Sequence, residues 1–245
     1  MESEAISDTL ELLSNADLAR KRGKDIHTLR GIRGTPDGEV ARIAASTWLD
    51  DPPLWPEDID QLTSLFNTAF EDGLVAISLL AALLPDHPGP VYDLGLDWLD
   101  RVDDVLTADA LGSVILGPGL LATGGLADLL SVAKAAARPE ARRAAVIAAL
   151  PATSAVVTGP AMSALRQRTN ERTLRFVEEP RHDVVSTLLT AFIRDPNPGV
   201  QKGIRRIVRA WRKIDKKAAT DWANGVSGGI PKTLRAELGG TKKKR

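Results

Sequence analysis

Residues Glu71–Leu84 read EDGLVAISLLAALL, and how this stretch is read decides the fold. It is apolar almost all round a helical wheel rather than along one stripe, so the helix it predicts belongs in the middle of a packed structure. Pro85 ends it. The preceding segment, Pro56–Phe70, places Leu62, Leu65 and Phe66 at helical spacing and gives that helix a one-sided partner. The two make a helical hairpin.

The same grammar extends in both directions. Upstream, Ser3–Leu13, Asp17–Thr28 and Asp37–Leu49 predict helices, the last with Val40, Ile43, Ala44 and Trp48 inward. Downstream come Gly89–Val105, Thr107–Leu116, Gly125–Ala137, Pro139–Leu150, Gly159–Gln167, Arg172–Glu179, Arg181–Ile193, Lys217–Asn224 and Pro231–Leu238. Val114–Leu116 and Val156–Thr158 are the only weak strand candidates. Low aromatic content (4%) beside abundant Ala and Leu agrees with an all-α chain. Helix pairs recur about every forty residues, the period of HEAT-type repeats. The expectation is a curved α-solenoid in one domain, residues 1–238, followed by a frayed basic tail, residues 239–245.

Several function classes drop out. No cysteine is present, so disulfides, thiolate metal sites and cysteine nucleophiles are excluded. His27, His87 and His182 are scattered without ligand or triad spacing, and neither metal nor cofactor is expected. Gly117–Gly125, GPGLLATGG, lacks the lysine and hydroxyl residue of a phosphate loop and reads as a turn between helices. The uncharged runs Ala110–Ala127 and Ala144–Leu165 are interrupted by Gly and Pro, and read as core helix pairs rather than membrane spans. The acidic start, MESEAISDTLELL, lacks the basic region of a signal peptide, and the expected location is the cytoplasm.

Formal net charge is zero but unevenly placed. Asp50–Ala110 holds 14 acidic and 1 basic residue, whereas Val200–Arg245 holds 14 basic and 3 acidic. Within the latter, Asn197–Asp215 reads NPGVQKGIRRIVRAWRKID. Val200, Ile204, Ile207, Val208, Trp211 and Ile214 form a buried stripe, and Lys202, Arg205, Arg206, Arg209, Arg212, Lys213 and Lys216 form a cationic one beside it. No carboxylate lies between Pro198 and Ile214. Such a face calls for an anionic partner, and nucleic-acid phosphate is the commonest for a protein of this kind. Lys202, Arg205, Arg206 and Arg209 are the expected phosphate contacts.

In order along the chain, several segments resemble the HEAT-like DNA alkylation repair proteins, a family that includes alkylpurine DNA glycosylases. The carriers are Leu29–Arg33 followed by Val40–Ala45, Leu65–Leu84, Asp97–Asp103 (DWLDRVD), Arg142–Val146 and Phe192–Arg209. The resemblance implies a monomer with a positive groove for duplex DNA. In its active members a carboxylate and two tryptophans surround the lesion, and the N-glycosidic bond of a cationic purine is hydrolysed through an oxocarbenium-like sugar. Carried over, the catalytic carboxylate falls on Asp103, the first tryptophan of a pair on Trp98 in the substrate pocket, and the backbone-gripping arginine on Arg143 beside Arg142. The second tryptophan of the pair falls on Leu99 and the one in the last helix on Arg206, so both aromatic walls are replaced. Three readings stay open: a diverged glycosylase, a non-catalytic DNA-binding module of the nucleoid, and a scaffold for an acidic protein.

Overall fold

A computed structural model of the chain describes residues 1–171 and 174–238. The described residues form helices α1 (Ser3–Leu12), α2 (Ala16–Arg22), α3 (Asp37–Asp50), α4 (Ile59–Thr68), α5 (Phe70–Leu83), α6 (Pro88–Trp98), α7 (Val105–Leu111) and α8 (Gly117–Thr123). There follow α9 (Leu126–Ala135), α10 (Pro139–Ile147), α11 (Ala149–Ala152), α12 (Ser163–Thr169), α13 (His182–Phe192), α14 (Pro198–Ile214), α15 (Lys216–Gly225) and α16 (Lys232–Glu237). The fold is all-α.

Helices α3, α5, α7, α10 and α14 pack successively into one row, and α4, α6, α9 and α13 back it. The hairpin is α4 and α5. Leu62, Leu65 and Phe66 of α4 are buried, as expected of its single apolar stripe, and every residue of α5 is buried. A row helix of a regular solenoid keeps one face open. Here that face of α5 is covered by a strap, residues 153–171, whose helix α12 lies on α3 and α5. Polar pins fix it: Ser78 Oγ accepts from Ala164 N at 3.0 Å and lies 3.0 Å from Ser163 Oγ, and Arg168 reaches the Ala82 carbonyl and Asp86. The all-round hydrophobicity of Glu71–Leu84 is therefore the signature of an extra layer, and the strict neighbour-only stacking expected of a solenoid does not hold at this end.

Other expectations are corrected. Gly117–Pro118–Gly119 is no turn. The chain stays helical from Val105 to Thr123, widening into a π turn at Gly112–Leu116, and the bend comes at Gly124, φ +76°. Pro118 brings no N–H to the turn before it, and the wider turn is how the helix passes it. This stretch is long and apolar enough to cross a membrane, yet packs as a core helix against α6, α10 and α11. Helix α6 stops at Trp98 and a single tight turn carries the chain to Arg101, short of the expected Val105. Residues 174–179 are not helical, and Leu174 pairs with Val157 across a lone antiparallel contact. The expected tail, 239–245, lies outside the described residues.

Candidate functional site

The site is built on α14. Asn197 caps it, its side chain accepting from Gly199 N and Val200 N, and Pro198 takes the first turn, where a missing N–H costs nothing. Val200, Ile204, Ile207, Val208 and Trp211 are buried as their spacing requires, whereas Ile214, expected with them, is 44% exposed at the helix's last position. The opposite edge is left to the cations. Lys202, Arg205, Arg206, Arg209 and Lys213 line one groove of about 620 Å³, floored by apolar side chains including Leu150, Val156 and Ile214. No carboxylate is among its lining residues.

The cations are not equivalent. Arg209 makes a forked pair with Glu237 at 2.5 Å, and Arg212 donates to the Glu237 carbonyl at 2.7 Å, which docks α16 onto α14. The Arg209 hydrogen bond, with the charges of Arg209, Arg205 and Arg212, holds the Glu237 carboxyl below its ordinary pKa. Arg206 donates to Asp109 at 2.6 Å. Lys202, Arg205 and Lys213 have no carboxylate within ion-pair distance among the described residues. Carboxylates from other helices thus balance part of the charge of α14 and leave these three cations without a counter-charge among the described residues.

Arg143 and Arg206, predicted separately, do converge, on a residue the sequence did not single out. Asp109 on α7 accepts from Arg143 Nε at 2.7 Å and Nη2 at 2.9 Å, and from Arg206 Nη1 at 2.6 Å. Close approach of α7 to α10 makes this possible. A Cβ on Gly112, one turn past Asp109, would collide with the carbonyl oxygen of Ala144, next to Arg143. Arg143 also donates to the Gly199 carbonyl at 2.5 Å, and its side chain is only 10% exposed. It pins α7, α10 and α14 together rather than presenting a free guanidinium. A hint was available beforehand: Asp109 is the sole carboxylate between Val105 and Ala127, on an otherwise apolar helix.

The remaining expected residues lie elsewhere. Asp103 accepts from Thr28 Oγ1 at 2.8 Å and Leu29 N at 2.5 Å and lies 3.4 Å from Arg30 Nε, its side chain 7% exposed. It fastens the 28–30 loop. Trp98 is wholly buried, stacked on Phe66 with centroids 4.2 Å apart, its Nε1 donating to Thr63. As folded it cannot touch a nucleotide, so its assignment to a substrate pocket is corrected to core packing. Leu99 is equally buried. Arg142 turns away from Arg143, donating to Asp195 at 2.6 Å and to the Ala136 carbonyl at 3.2 Å, and does not line the α14 groove.

No family model matches the sequence, and no curated protein matches it significantly. Among solved structures, the chain is similar to one described as a predicted DNA alkylation repair enzyme from Enterococcus faecalis. The TM-score is 0.66 at 14% identity, over 95% of this chain and 98% of that one. At that identity the likeness is one of fold, end to end.

Proposed function

We propose that this chain, which shares its fold with a predicted alkylation repair enzyme, is a non-catalytic module that binds the phosphate backbone of duplex DNA along α14. The observation that carries the reading is the lining of the α14 groove: five cations, three of them unpaired among the described residues, and no carboxylate. From Lys202 to Lys213 the helix rises about 16 Å at 1.5 Å per residue. One DNA strand places a phosphate about every 3.4 Å of axis, so that edge can serve several in succession.

The chemistry of base excision is disfavoured by the same geometry. Cleavage of the glycosidic bond needs an anion free to face a developing cation. Asp103 spends its oxygens on the 28–30 loop, and Asp109 is held by two guanidiniums that leave the cluster net positive. An Arg–Asp–Arg cluster attracts phosphate and repels an oxocarbenium ion.

The test is titration of a labelled duplex at low salt with the wild type and with a Lys202→Ala/Arg205→Ala/Lys213→Ala variant. Affinity should fall by roughly tenfold or more in the variant. Equal binding by the two would overturn the groove assignment. Incubation with alkylated duplex should release no purine above a protein-free control. Release that disappears in Asp103→Asn or Asp109→Asn would overturn the non-catalytic part.

A further inference from the structure

Helix α16 carries one carboxylate, Glu237, the only one that follows Asp221 in the chain. It is spent on α14. Arg209 Nε and Nη2 donate to its two oxygens, each at 2.5 Å, and Arg212 holds the carbonyl of the same residue at 2.7 Å. Arg205, Arg209 and Arg212 are spaced by four and three residues, so they share one edge of the helix. The Arg209 hydrogen bond, joined by the charges of all three arginines, favours the ionised carboxyl. Arg209 also lines the α14 groove.

Resting on the DNA reading above, we infer that Arg205, Arg209 and Arg212 form a phosphate subsite, filled at rest by the Glu237 carboxylate and opened when a DNA phosphate displaces it. Geometry is the first argument. A guanidinium recognises carboxylate and phosphate alike through two parallel N–H···O bonds. The Glu237 carboxylate uses the donors that a phosphate would take. Exposure is the second argument. The Arg209 side chain is 62% exposed and that of Glu237 19%. Ion pairs at the surface stabilise weakly, so a competing oxyanion can replace the carboxylate. The third argument is that α16 need not leave. Leu234 and Ile230 are buried and anchor it, whereas Glu237 is its last residue, so the side chain can swing clear alone. Glu237 thereby lowers the resting affinity of the edge, because a duplex must break the fork before it gains Arg209.

The experiment is a thermodynamic cycle on one labelled duplex at low salt, read by fluorescence anisotropy. Its corners are the wild type, Glu237→Gln, Arg209→Ala and the double variant. Glutamine keeps the shape of Glu237 and removes its charge. Glu237→Gln should bind about threefold tighter than the wild type, a gain that also shows that it is folded. In the Arg209→Ala background the same substitution should leave affinity within about 1.5-fold. Both arms remove the same charge, so a gain that depends on Arg209 reports the fork and not net charge. A second readout needs no variant: saturating duplex should shift the Glu237 side-chain carboxyl carbon toward its free-solution resonance. No gain, a loss, equal gains in the two backgrounds, or a carboxyl carbon that does not move overturns the subsite, while the groove reading stands if binding still depends on Lys202, Arg205 and Lys213. Absence of duplex binding by both the wild type and Glu237→Gln overturns both.

Discussion

Two sets of cationic side chains in this molecule face carboxylates in opposite ways. At the N-terminal end, Arg22, Arg30 and Arg33 turn inward. Arg33 Nε meets Asp72 at 2.7 Å, Arg22 meets Glu71 at 2.5 Å, and Arg30 Nη2 meets Asp104 at 2.8 Å. Glu71 and Asp72 are wholly buried. At the C-terminal end, α14 turns Lys202, Arg205 and Lys213 outward with no such partner among the described residues. Both sets carry positive charge and the physical role differs. An inward guanidinium satisfied on several sides fixes the backbone around it. An outward cation without a counter-charge keeps its field available to a ligand.

If the difference is real, the two sets fail differently when cut. The largest effect belongs to the inward set. Asp72→Ala removes the buried partner of Arg33, leaving it only the more exposed carboxylate of Glu11, and should cost about 3 kcal/mol in denaturant unfolding. A loss below about 1 kcal/mol would mean that the pair is not shielded from water. Asp103→Asn keeps the shape but weakens the charge-assisted bonds to Thr28 and Leu29 N, at a cost of about 1–3 kcal/mol. Its duplex affinity should equal that of the wild type, because Asp103 does not line the α14 groove. A drop in affinity without a drop in stability would return Asp103 to the binding site.

The smallest effect sits where the outward set has acquired one partner. The folded pKa of Glu237 is depressed, chiefly by its hydrogen bond to Arg209. Its contribution to docking α16 is therefore present above the ordinary glutamate pKa and lost as pH falls through the lower folded value. An NMR titration should show Glu237 protonating below its ordinary 4.5, with α16 resonances shifting in the same step. In Arg209→Ala the Glu237 midpoint should move back toward 4.5, and an unchanged midpoint would remove Arg209 as the cause.

Sequence patterning carried most of the fold. The one-sided stripe of Pro56–Phe70, the four-sided apolarity of Glu71–Leu84 and the paired apolar and cationic stripes of α14 each report a local property of a helix, and local properties are written in neighbouring residues. The strap could not be read the same way. Its pairing of Ser163 with Ser78 joins positions 85 apart, and only the unexplained burial of α5 pointed to it. The site was legible in part for a related reason. Helical spacing put Lys202, Arg205, Arg206, Arg209 and Lys213 on one edge, and the groove confirms their common side. Which of them remain unpaired depends on Asp109 and Glu237, contributed by distant helices. Asp103 and Trp98 were chosen by a short motif likeness, and tertiary packing consumed both: one in a loop clasp, the other in a ring stack. Arg142 and Arg143 were both expected at the phosphate backbone, the gripping role falling on Arg143. Successive positions on a helix face directions about 100° apart, which sent one to Asp195 and the other to Asp109.

The most direct measurement is the salt dependence of duplex affinity, plotted as log K against log salt concentration. Each phosphate neutralised adds about 0.9 to the negative slope, so replacing Lys202, Arg205 and Lys213 with Ala should flatten it by roughly 2 to 3. Unfolding should stay within about 0.5 kcal/mol per substitution, Lys202 and Lys213 being exposed and Arg205 half-buried without an ion pair among the described residues. Parallel slopes for the two proteins, or wild-type binding that ignores salt, would contradict the assignment of α14 as the phosphate-binding edge.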